Sequence, residues 1–122
     1  MAREIRGFAR SYEVAGDMSG NLFRFVKLSG KTAVAATAAT DPVVGVLQNK
    51  PTAPGIAATV MIDGLSRVVA AKAIAAGTVV YIAADGRVTD TAASNKAVGI
   101  AEDAATAAGD VISVLLKPLG AL

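Results

Sequence analysis

Val44-Gly45-Val46-Leu47-Gln48-Asn49-Lys50-Pro51-Thr52-Ala53-Pro54-Gly55-Ile56-Ala57-Ala58-Thr59-Val60-Met61-Ile62-Asp63-Gly64 reads as two short apolar β runs joined by a turn rich in Pro and Gly. The same texture returns 54 residues later. Val44-Gly45-Val46 falls on Val98-Gly99-Ile100, Gln48-Asn49 on Glu102-Asp103, Thr52-Ala53 on Thr106-Ala107, Gly55 on Gly109, and Thr59-Val60-Met61-Ile62 on Ser113-Val114-Leu115-Leu116. Six identities across these 21 positions, in phase over two strands and their loop, read as an internal repeat of two. Upstream, a two-residue slip lays Phe25-Val26-Lys27-Leu28 on Tyr81-Ile82-Ala83-Ala84.

Working outward, β-type runs occupy 22–29, 42–48, 56–63, 66–71, 78–83, 87–90, 97–101 and 110–117, punctuated by Gly, Pro, Asn and Asp. Asp63-Gly64 and Asp85-Gly86 each lie between two runs, and Asp-Gly accepts the positive φ of tight hairpins. Ala-rich 31–40, 70–76 and 102–108 have helix formers but are too short for stable helices, so one or two helical turns are allowed at most. The fold class is therefore all-β, a small β-barrel or sandwich with a two-fold internal repeat. Residues 1–20, with Gly7, Gly16 and Gly20 and no sustained period, read as an extended N-terminal arm, and 21–122 as a single β-rich domain.

Composition narrows the chemistry. The 122 residues include 27 Ala but no His and no Cys, so the core is built from small and β-branched side chains. Imidazole bases, thiolate nucleophiles, zinc fingers, iron–sulfur clusters and disulfides are all excluded. Carboxylate, lysine, tyrosine or serine chemistry would need strong tuning, and Asp63, Asp85, Asp90, Asp103 and Asp110 sit where turn formers belong. Gly16 and Gly20 lack the Lys-Ser/Thr of a phosphate loop. The expectation is a protein that is not an enzyme and takes no cofactor and no metal.

The first ten residues carry charges where a signal peptide needs an apolar run, which reads as a chain made and kept in the cytosol. The apolar stretch 68–76 is broken by Lys72 and falls far short of the ~20 residues of a membrane span. Residues 1–31 hold six basic groups against three acidic ones, while the remainder carries six against seven. Phe8, Tyr12, Phe23 and Phe25 are interleaved with these cations, as in a single-strand binder, but the charge is modest and residues 23 and 25 look like strand core. A basic, partly apolar arm docking on protein is the favoured reading, with a nucleic-acid module as the alternative. The run 73–82 is similar to biotinyl and lipoyl carrier strands, yet the hairpin tips present Asp-Gly rather than Lys.

In order, Asn21-Leu22-Phe23-Arg24-Phe25-Val26-Lys27-Leu28, Asp41-Pro42-Val43-Val44-Gly45-Val46, Ala53-Pro54-Gly55, Ala75-Ala76-Gly77-Thr78-Val79-Val80, Ala84-Asp85-Gly86-Arg87, Ala97-Val98-Gly99-Ile100-Ala101 and Ala107-Ala108-Gly109-Asp110-Val111-Ile112-Ser113-Val114 resemble the capsid cement, or head decoration, proteins of tailed bacteriophages. The resemblance covers most of 21–118. It implies a non-enzymatic structural protein on the outer surface of the virion capsid, commonly a homotrimer, whose partners are the major capsid protein and its own copies, with no nucleic acid and no membrane. It transfers no contact residue; the arm residues Arg3, Ile5, Arg6, Phe8 and Arg10 are the expected contacts, and deleting 1–14 is expected to leave a folded oligomer that no longer binds expanded capsids.

Overall fold

The computed structural model describes residues 5–92 and 97–116, and for residues 5–8 the backbone alone. The described strands are β1 (Ile5–Val14), β2 (Phe25–Ser29), β3 (Thr32–Ala35), β4 (Val43–Leu47), β5 (Ala57–Val69), β6 (Val79–Ile82), β7 (Val88–Thr89), β8 (Ala97–Ala101) and β9 (Val111–Leu116). Helix among the described residues is confined to the 3-10 turn Ser19–Asn21.

Strand order runs β1-β3-β2-β4-β5-β9-β8-β6-β7, and β1 also pairs with β5. The first five strands thus close into a barrel. The second half of β5 begins a second set with β9, β8, β6 and β7, which the isolated parallel bridge Ala70↔Val88 draws together as Val14↔Ala33 does the first. The long strand β5 is therefore shared: it ends one copy of the repeat and begins the next.

The registers show the repeat residue by residue. Phe25↔Val46, Val26↔Gly45 and Lys27↔Val43 in the first copy become Val79↔Ile100, Val80↔Gly99 and Tyr81↔Ala97 in the second, with the bulge at the same step. Val46↔Met61 becomes Ile100↔Leu115. Each pair is offset by 54, so β2 matches β6 without slip, correcting the alignment of Phe25 with Tyr81. The slip lies further upstream. Met18 donates its N–H to the Pro51 carbonyl as Ile74 does to Ala105, which makes Met18 the counterpart of Ile74.

Packing follows the same correspondence. Val14, Met18, Val26, Ala33, Leu47, Ala58 and Val60 form one buried cluster. Their equivalents Ala70, Ile74, Val80, Val88, Ala101, Ile112 and Val114 belong to the other, which extends through Phe25, Val46, Met61, Ile82 and Leu116 at the seam between copies. Small side chains bury little area each, at about 25 cal/mol per Å², so neither copy is self-sufficient and the shared seam carries much of the stability.

Three expectations change. Asp63-Gly64 is not a hairpin: β5 runs straight through it, with Gly64 at φ 111 and the Asp63 carboxylate accepting the Gly64 N–H at 2.9 Å. Residues 32–35, read as too short for a helix but left out of the β runs, pair with β2 as a strand, their weak helix preference yielding to that pairing. The N-terminal segment is extended, but from Ile5 it is no loose lead-in. It lies antiparallel on β5 from Ile5↔Leu65 to Glu13↔Ala57, and Val14 and Met18 are core residues. Removing 1–14 would take a strand out of the first barrel, so that deletion does not isolate a partner contact.

Candidate interaction surface

Of the expected contacts, Arg3 lies outside the described residues. Ile5, Arg6 and Phe8 are placed by the backbone of β1 opposite Leu65, Gly64 and Asp63, with register shifts on both sides of Phe8. Arg10 stands opposite Val60, is exposed, and holds its guanidinium 5.8 Å from the centre of the Tyr12 ring. The structure thus brings the described members of the set onto one barrel strand, although sequence reading assigned them to an arm. Of the interleaved aromatics, Phe25 is buried in the seam and Tyr12 packs against the first core, so neither is a free stacking platform.

A second surface was not singled out from sequence. At the β6–β7 hairpin, the Asp85 carboxylate accepts Arg87 Nε at 2.8 Å and lies 3.7 Å from the Arg24 guanidinium, tying the second copy to the start of β2 in the first. The backbone adds to that tie, since Phe25 N–H donates to the Gly86 carbonyl at 2.8 Å. Ala36, Thr37, Ala83, Ala84, Asp85 and Arg87 line an open depression beside it.

The carboxylates have structural employment. Asn49 Oδ1 accepts the Thr59 N–H at 2.9 Å, and its counterpart Asp103 accepts the Ser113 N–H at 3.2 Å. Asp90 pairs with Lys72 at 3.0 Å. Asp41 Oδ2 accepts N–H bonds from Thr37 at 2.8 Å and Ala38 at 3.0 Å, and Lys27 Nζ stands 3.1 Å away. Thr106-Ala107-Ala108-Gly109-Asp110 repeats the side-chain bonding of Thr37-Ala38-Ala39-Thr40-Asp41, though with a positive φ at Gly109: Asp110 Oδ2 accepts the Thr106 N–H and hydroxyl, each at 2.8 Å, and the Ala107 N–H at 3.2 Å. Among the described residues no group of three or more Asp or Glu side chains is arranged to hold a metal ion.

These turns make the fold acid-sensitive. The Thr37 N–H, and next the Lys27 ammonium, hold the Asp41 carboxyl down from its ordinary 3.8 to about 2. The Thr106 N–H and hydroxyl lower Asp110 in the same direction. Because the folded carboxyls bind protons more weakly than unfolded ones, this stability is present above about pH 4 and is lost as pH falls through about 2. Melting temperature followed from pH 7 to 2.5 should fall below about pH 4, and Asp41→Asn should melt lower at pH 7 with a shallower acid decline. A flat wild-type profile would contradict the assignment.

A family model described as "Phage cement protein" matches residues 18–116, which takes in β2 through β9 and begins just after β1. No curated protein matches the chain.

Proposed function

The chain belongs to the phage cement protein family, and from that premise we propose that it decorates the outer surface of the expanded head, clamping adjacent major capsid subunits and catalysing no reaction. The observation that carries this is the span of the match, which includes the greater part of both copies of the repeat. Clamping needs a stiff body with several contact points, and a shared β5 with a buried seam supplies the stiffness. Weak sites multiplied in a homotrimer bind a lattice far more tightly than one site, since later contacts form at high effective concentration. The partners on this reading are capsid protein and other copies of the chain, with neither nucleic acid nor membrane required.

The proposed contact is the strand that carries Ile5, Arg6, Phe8 and Arg10, with Arg3 preceding it. Arg10 is the testable member, being exposed and part of neither buried cluster. Purified protein mixed with empty expanded heads lacking it should co-sediment to saturation and raise the temperature at which the heads disrupt. Arg10→Glu should weaken half-occupancy by roughly fivefold, mainly through electrostatics, with unchanged melting. Failure of the wild type to sediment with heads would reject the outer-surface role, and light scattering would decide the trimer.

A further inference from the structure

Phe23 stands in the left-handed backbone region, at φ 62, where a side chain with a Cβ is strained. The repeat shows what that position asks for. Its counterpart 54 residues on is Gly77, at φ 84. Both make the same bond, Phe23 N–H to the Leu47 carbonyl at 2.8 Å and Gly77 N–H to Ala101 at 2.7 Å. The second copy uses the unstrained residue and the first does not. Strain retained in one of two equivalent sites calls for a compensating role.

Core packing does not supply it. The Phe23 ring is half-buried and belongs to neither buried cluster. The exposed Arg67 guanidinium lies 5.8 Å from its centre, and the next residue, Arg24, leads to Asp85 and Arg87. Among the described residues, one free-standing guanidinium thus lies over a half-buried aromatic ring, while Arg24 and Arg87 are both taken up by Asp85. The location also matters. Gly64 and Leu65 pair with β1 and β9 at once, so those strands hold opposite edges of β5. Val69, paired with β9, gives its N–H to the Phe23 carbonyl at 2.9 Å, on the edge that β1 follows. Phe23 and Arg67 therefore prolong the line of the β1 contact.

We propose that Phe23 and Arg67 anchor an acidic, partly apolar segment of a partner protein, which on the reading above is the capsid subunit. The ring takes the apolar part and Arg67 a carboxylate, the pairing of aromatic and arginine that concentrates binding energy in interfaces. The test compares wild type, Phe23→Gly and Arg67→Glu in sedimentation with empty expanded heads, alongside thermal melting. The wild type should bind, and each variant should need about tenfold more protein for half-occupancy. Phe23→Gly should melt at or above the wild-type temperature, since glycine adopts this backbone freely. If the wild type binds and both variants bind within about twofold of it, the anchor is refuted while the capsid role stands. If the wild type does not bind, the capsid role itself fails. A lowered melting point for Phe23→Gly, with Arg67→Glu binding intact, would make the ring a packing group and also refute the anchor.

Discussion

Gly45→Ala and Gly99→Ala should each destabilise the protein by about 3 kcal/mol, the upper part of the range for forcing atoms into a filled interior. A Cβ on Gly45 would sit 2.3 Å from the Met61 carbonyl oxygen and 2.8 Å from Val60 Cγ1; on Gly99 it would sit 2.3 Å from the Leu115 carbonyl and 2.9 Å from Val114 Cγ1. Neither clash can be relieved by rotating a side chain, because the first obstacle is backbone on the neighbouring strand. Relief would require β4 to move off β5, or β8 off β9, and both pairs line the cores. For a domain of this size that energy corresponds to a melting point roughly 10 to 20 °C lower. The two variants should fall by similar amounts, whereas Gly16→Ala, whose Cβ would meet nothing within 4 Å, should stay within experimental error of wild type. Unchanged melting for Gly45→Ala would mean that the strands are not packed as described.

The same crowding explains why the repeat was legible. Val-Gly-Val and Val-Gly-Ile stand out because a backbone-to-backbone approach admits no other residue, and that requirement is written in each copy. The Asp85-Gly86 hairpin was legible too, with Gly86 at φ 86 between β6 and β7. Asp63-Gly64 shows the limit of that signal, since the same dipeptide serves a strand that passes through a left-handed residue without turning back. β3 was hidden by Ala and Thr, whose weak preferences yield to pairing with β2. β1 was hidden because its partner lies some fifty residues away and the register shifts around Phe8 break the alternation that marks a strand. For the interaction surface, sequence reading picked out Arg10 by charge but took Phe23 for strand core. Laying Phe23 on Gly77 at the 54-residue offset would have exposed it, and the misplaced slip at β2 prevented that comparison.

Deletion of residues 1–14 should abolish cooperative folding, because β1 is a structural member of the first barrel. Its pairing with β5 spans residues 5–13, and at its end Val14 donates to the Ile56 carbonyl at 3.2 Å and accepts the Gly55 N–H at 2.9 Å. Tyr12 and Val14 would leave the first core, and the freed edges of β3 and β5 would expose backbone groups that invite pairing between chains. Losing a barrel strand removes several kcal/mol, comparable with the whole 5–15 kcal/mol or so that holds a domain together. The truncated chain should therefore aggregate or elute as an expanded species, without a cooperative melt by circular dichroism. If it instead melts within a few degrees of the full chain, β1 is an appendage and its loss from capsids could be read directly as a lost contact. On the expected result, absence of capsid binding by the truncation says nothing about contact, and Arg10→Glu in the intact chain becomes the variant that separates docking from folding.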